Sequence, residues 1–162
     1  MTTTAEDTGL ALRVRLEAFY YDYADAIDAD LDRWPDFFTE DALYKIVARE
    51  NFERGLPLAS MLCEGRGMIL DRVMGVKKTI VHFKRVTRNV VSNLRILEIA
   101  PDGIHASTTF TVYDTFEAAT TRLFAVGKTF DHVVEADGAL RFRERVCVFD
   151  GDLIQGSIIY PF

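Results

Sequence analysis

From Asn89 to Phe149 the chain alternates in character along segments too long for loops, and each segment stops at a turn signal. A period of two places successive side chains on opposite faces of a strand. In the run from Ala106 to Phe116, Ala106, Thr108, Phe110, Val112 and Phe116 share one face, while His105, Ser107, Thr109, Thr111 and Thr115 share the other. The next, Arg122 to Val134, collects Phe124, Val126, Phe130 and Val134, and the last, Ala139 to Phe149, collects Leu140, Phe142, Val146 and Val148. Pro101-Asp102-Gly103, Ala118 to Thr121 and Asp137-Gly138 supply the turns. The pattern predicts an antiparallel meander whose long strands share one apolar surface in need of a cover.

The N-terminal part supplies it. Leu12, Leu16, Phe19, Tyr20, Tyr23, Ile27 and Leu31 recur at spacings of three and four, the mark of one side of an α-helix. Residues 1–8 are expected to be disordered, with Thr8 as the helix cap. Asp28 to Asp32 interrupts the pattern, and Pro35 then suits the first turn of a short second helix that Asp41 ends, with Trp34 as the anchor packing it on the sheet. Leu43 to Val47 reads as a short strand and Arg49 to Pro57 as a loop. Met61 to Met74 reads as a helix capped by Gly75, Val76 to Thr87 as an exposed basic connection, and Val90 to Ile99 as the first long strand. Helices followed by a run of strands give an α+β fold, with helices on one side of a curved sheet and residues 1–162 forming a single domain.

The formal charge of −6 disfavours nucleic acid, which selects basic surfaces. No apolar run approaches a membrane span, and the N-terminus lacks a basic region leading into an apolar one, so a cytoplasmic location is expected. Cys63 and Cys147 match no metal or redox spacing and read as buried free thiols. His82, His105 and His132 are isolated in sequence, so no metal site is expected unless distant residues, two histidines and a carboxylate, converge in the fold. No glycine-rich phosphate loop or nucleophile elbow is present.

Four polar residues break the apolar faces: Asp114, Lys128, His132 and Glu144. Inside a pocket they could serve as acid and base, with Asp114 or His132 as the base of an isomerase or dehydratase. The same pocket could bind a small ligand without chemistry. Alternatively they are ordinary charges, with Asp114 and Glu144 each meeting Lys128 across the sheet. Arg141, Arg143 and Arg145 form a basic stripe on the opposite face of the last strand, either solvated or a partner surface.

Several motifs in order resemble one family. These are Trp34-Pro35-Asp36-Phe37-Phe38-Thr39-Glu40-Asp41-Ala42-Leu43-Tyr44-Lys45-Ile46, then Arg49-Glu50-Asn51 and Gly55-Leu56-Pro57, then Gly67-Met68-Ile69-Leu70-Asp71-Arg72-Val73. Thr87-Arg88-Asn89-Val90-Val91-Ser92-Asn93, Ala125-Val126-Gly127-Lys128 through Asp131, and Arg141 to Asp150 continue the match. Together they resemble the small (β) subunit of aromatic-ring-hydroxylating dioxygenases, the Rieske non-haem iron oxygenases, over about residues 10 to 162. The family often has histidine where Asn89 stands.

The resemblance implies a cone-shaped fold like that of nuclear transport factor 2. It also implies a role: a noncatalytic small subunit that assembles with a large α subunit, commonly three of each. Catalytic, cofactor-binding and metal residues are then expected to be absent from this chain. The Rieske cluster and mononuclear iron belong to the α subunit, and electrons arrive from NADH through a reductase and sometimes a ferredoxin. The subfamily it resembles most serves aromatic carboxylates such as salicylate, anthranilate or terephthalate. Arg49, Glu50, Asn51, Gly55, Arg72, Arg141, Arg143 and Arg145 are the candidate interface residues, with Arg72 pairing an acidic group of its own helix or of the partner.

Overall fold

The computed structural model of the chain describes residues 5–78, 85–116, 120–151, 154 and 156–162, with side chains from residue 9 onward. His82, half of the basic connection and part of the turn at Ala118 to Thr121 lie outside them. The long helix α1 spans Ala5–Ala29 and a 3-10 helix spans Leu31–Phe37. Strand β1 (Phe38–Ala48), a short α2 (Arg49–Glu53), β2 (Met61–Glu64) and α3 (Arg66–Lys78) follow. The meander then runs through β3 (Arg85–Ala100), β4 (Gly103–Phe116), β5 (Arg122–Ala136) and β6 (Ala139–Phe149). The sheet order is β2-β1-β6-β5-β4-β3, antiparallel except for the β1–β6 pair.

Bulges bend this sheet around the helices. Each inserts residues into one strand of a pair and locally increases bend and twist. Register shifts fall in β1 between Phe38 and Leu43, in β3 between Ser92 and Arg95, and between β5 and β6 beside Val133. Asn93 takes a left-handed φ of 53°, a conformation that asparagine tolerates better than most residues. At the β5–β6 turn Asp137 and Gly138 both have positive φ, 52° and 76°, as a tight two-residue hairpin requires.

The core lies between the concave face and α1. Phe19, Tyr20 and Tyr23 of α1 meet Phe142 of β6 at ring-centroid distances of 4.7, 5.6 and 5.3 Å. Trp34 is fully buried, edge-on to Phe38 and Tyr44, and its indole N–H donates to the Tyr23 hydroxyl at 3.1 Å. Such edge-to-face pairs add about 0.5–1.5 kcal/mol each beyond the area they bury.

The structure corrects several expected boundaries. Helix α1 already runs from Ala5, so Thr8 does not cap it. The 3-10 helix gives way to β1 at Phe38, before Asp41, and a helical turn stands in place of the loop after Arg49. Met61 starts a strand rather than a helix, because Gly65 at φ 84° breaks the chain there, and α3 continues through Gly75 to Lys78. Strand β3 begins earlier, at Arg85.

Two face assignments also change. On β5, Val126 and Phe130 point outward, and the inward positions are Ala125, Gly127, Thr129, Asp131 and Val133. Gly127 is inward because nothing larger fits: a Cβ there would lie 2.0 Å from the Val148 carbonyl oxygen and 2.9 Å from the Phe110 ring. On β6, Phe142 pairs with Val133 and Glu144 with His132, leaving Arg143 as the extra residue. A one-residue insertion exchanges the faces of everything beyond it. Arg145, Cys147 and Phe149 therefore face the core with Phe142, while Val146 and Val148 join Val47 in a separate small cluster.

Candidate functional site

Inside the cone, a polar network crosses the apolar core. Tyr20 of α1, Thr129 of β5 and Arg145 of β6 all donate to Oδ2 of Asp131, at 2.8, 2.6 and 2.9 Å. The Thr108 and Thr129 hydroxyls are 2.8 Å apart and extend the network to β4. The Arg145 guanidinium also lies over the rings of Tyr23 and Phe142, at 4.4 and 4.7 Å. Burial pushes the Asp131 carboxyl above the usual carboxylate range, against the pull of Arg145, Thr129 and Tyr20. Burial alone would lower Arg145, but Asp131 together with Cys147, Tyr23 and Tyr20 outweighs it and holds the guanidinium charged. Burial also raises the Tyr20 hydroxyl well above its ordinary range, with Asp131 adding to the effect.

Among the last residues of the chain, Phe162 also packs into the interior. Phe162 is 3% exposed, and its ring packs 5.5 Å from Phe110 and 6.0 Å from Phe124. Its carbonyl oxygen accepts from Tyr23 at 2.7 Å and Tyr44 at 3.4 Å, and its N–H donates to the Tyr44 hydroxyl at 2.9 Å. Arg72 of α3 fastens this segment from outside by donating to the Ile158 and Ile159 carbonyls at 2.7 and 2.9 Å. Main-chain carbonyls of its own chain thus stand where an acidic group of its own helix was expected.

The polar residues expected to line one pocket are divided between the two faces of the sheet. Asp114 is fully buried on the inward face and bound by Arg85 at 2.9 Å, with Arg122 at 3.7 Å. Lys128, His132 and Glu144 lie on the outward face, where Glu144 is the cross-strand partner of His132 and Lys128 that of Val148. Asp114 and His132 therefore cannot act as a joint acid and base, and Lys128 meets neither carboxylate across the sheet, because the β5 register differs from the assumed one. His132 instead stacks on His105 with ring centroids 4.5 Å apart.

The candidate interface residues divide similarly. Arg49 and Glu50 are exposed on α2, paired with Asp150 at 3.4 Å and Arg54 at 2.7 Å. Asn51 is half-buried, its carbonyl accepting from Leu56 N–H, and Gly55 has a left-handed φ of 62°. Arg143 is exposed and Arg141 half-buried beside Asp137 at 3.7 Å. Arg145 does not belong with them: at 1% exposure it is an interior ion-pair partner, moved inward by the bulge at Arg143. Asn89 also has a defined place, since its N–H and side-chain amide both donate to Asp28 of α1, at 3.1 and 2.6 Å, tying α1 to β3.

The Asp131 network, the buried Phe162 and the convergence of Asp102 with the two described histidines are not apparent from the sequence. Asp131 and Thr129 gave one usable signal, two polar residues on a single face of an otherwise core-forming strand.

A family model for the ring hydroxylating beta subunit matches residues 23–156. The chain belongs to that family. It is 29% identical to the small subunit of anthranilate 1,2-dioxygenase from Burkholderia cepacia, over 86% of this chain and 87% of that one. It is 27% identical to beta subunit 1 of the terminal oxygenase component of terephthalate 1,2-dioxygenase from a Comamonas species, over 91% and 97%. Among solved structures, the proposed beta subunit of an aromatic-ring-hydroxylating dioxygenase from Novosphingobium aromaticivorans superposes with a TM-score of 0.85 at 28% identity, covering 94% of this chain and 97% of that one. The α+β cone expected from the sequence is thus the family's own fold.

A Rieske cluster needs two cysteine thiolates and two histidines. Cys63 and Cys147 are buried and free on separate strands, and the convergent donor group among the described residues contains no sulfur. The described residues do not fit such a cluster. No helix among them is long and apolar enough to cross a membrane.

Proposed function

We propose that this chain is the noncatalytic, structural small subunit of a multicomponent Rieske non-haem iron ring-hydroxylating oxygenase. It assembles with a large α subunit, three of each, and that partner holds the iron–sulfur cluster and the mononuclear iron. NADH supplies electrons through a reductase, with or without a ferredoxin. The reaction belongs to aromatic degradation, and the similarity to anthranilate and terephthalate dioxygenase subunits favours an aromatic carboxylate as substrate.

The filled interior carries this reading. A pocket enzyme on a cone needs a concave space with convergent polar groups. Here Phe162 packs into the interior beside Tyr23, and Asp114 is held in an ion pair by Arg85. The outward face supports a role in assembly. Val86, Val90, Leu97, Leu123, Val126 and Phe130 are each at least one-third exposed there, and Arg49, Glu50 and Arg143 lie exposed as well. Apolar surface of this kind marks a contact with another protein.

Reconstitution of the large subunit with this chain carrying Asp114→Asn tests the noncatalytic role. The assembled complex is expected to retain its turnover, with any loss confined to assembly yield. Intact assembly with turnover reduced a hundredfold would contradict the reading.

A further inference from the structure

The geometry points to a divalent-metal site of the zinc class formed by Asp102, His105 and His132 on the outward face of the sheet. One ligand atom from each of the three lies within 4.8 Å of the others. His105 of β4 and His132 of β5 are direct cross-strand partners, so the sheet itself sets their spacing. The β3–β4 turn brings Asp102 to the same place. His132 Nε2 stands 3.8 Å from Asp102 Oδ2 and donates to the Asp102 carbonyl oxygen at 3.1 Å in the metal-free chain; a bound ion takes the place of that proton. Tetrahedral zinc with bonds of roughly 2.0–2.1 Å holds its ligand atoms about 3.4 Å apart, so little movement is required of this pair. Asp102, with a side chain 62% exposed, is free to make it, and His105 closes on the pair by rotating out of its stack.

The turn is shaped around the imidazole. Gly103 adopts φ 145°, and a Cβ there would lie 2.6 Å from His132 Nε2 and 2.7 Å from the Val133 carbonyl oxygen. Only glycine lets the ring sit against the turn, and the His132 side chain is accordingly just 11% exposed. Glu98 is the cross-strand partner of His105 and Glu144 that of His132. Carboxylates beside each imidazole suit either a fourth ligand or an acceptor for the nitrogen that does not bind metal. Two imidazoles and one carboxylate form a donor set that accepts zinc and its first-row neighbours and leaves a position open. A bound ion would tie the β3–β4 turn, β4 and β5 together.

Zinc titration of the purified, tag-free chain by calorimetry tests the proposal. One zinc per chain is expected, with affinity reduced about a hundredfold or more by His105→Gln or His132→Gln, and about tenfold by Asp102→Asn. Metal-free thermal melts would show whether each variant folds. Zinc-edge X-ray absorption on the unaltered chain serves if a variant does not, and is expected to show two imidazoles and oxygen. Absence of binding, binding that survives His105→Gln in a folded variant, or sulfur in the zinc shell would each overturn the site.

Discussion

The Asp131–Arg145 pair shows how one side chain can be misread and why the error matters. Arginine at alternate positions with Arg141 and Arg143 has the form of a solvated stripe, and no local pattern announces the bulge that turns Arg145 inward. Once buried, the pair is costly to break, because the remaining charge stays desolvated. Arg145→Met is expected to lower stability by about 3–5 kcal/mol, whereas adding Asp131→Asn to it restores most of that loss. Urea denaturation of the single and double variants measures both, and additive losses would mean that the two residues are not coupled. Asp28 gives a pH-dependent case. Burial raises its carboxyl above the ordinary range, opposed by Asn89 and Arg88. A carboxyl raised on folding contributes stability in acid that is lost as pH rises through its folded-state value. Asp28→Asn, which keeps an acceptor for Asn89, should therefore stabilise the protein at neutral pH, and the gain should shrink as pH falls through the carboxylate range. Denaturation midpoints across that range would show it, and a gain that grew toward acid would contradict the account. The bonds from Asn89 to Asp28 were not legible in sequence, because they join residues 61 positions apart that meet only after α1 docks.

At the scale of elements, periodicity worked where a single face is apolar and failed where both are. The α1 stripe and the inward face of β4 were readable because polar residues occupy the opposite side. On β5 the inward positions are small or polar and the outward ones include Val126 and Phe130, so alternation pointed to the wrong face. The strand β2 was hidden because four residues are too few to show a period, and only the positive φ at Gly65 separates it from α3. The C-terminal segment carries no period at all, and its position depends on Arg72. Arg72→Met removes two charge-assisted bonds to the 158–159 carbonyls and is expected to cost about 1.5–3 kcal/mol. It should also speed hydrogen exchange at the Phe162 amide, which donates to Tyr44. Unchanged exchange at that amide would show that Arg72 does not hold the segment.

For the whole molecule, the order of elements and the ordered motifs were enough to anticipate both the cone and the family. They could not show that Phe162 fills the cone, since that contact joins the last residue described to Tyr23, Tyr44 and Phe110 across the full length of the chain. An interior occupied by Phe162 beneath an outward face with exposed apolar side chains suits a protein that works by association. The most direct measurement is gentle purification of the tagged chain from its source cell, recording the mass of the assembly, its visible spectrum and its iron content. The account predicts a larger partner in equal amount, with iron–sulfur absorption accompanying it. A colourless chain, recovered alone from cells that carry out the aromatic oxidation, would contradict it.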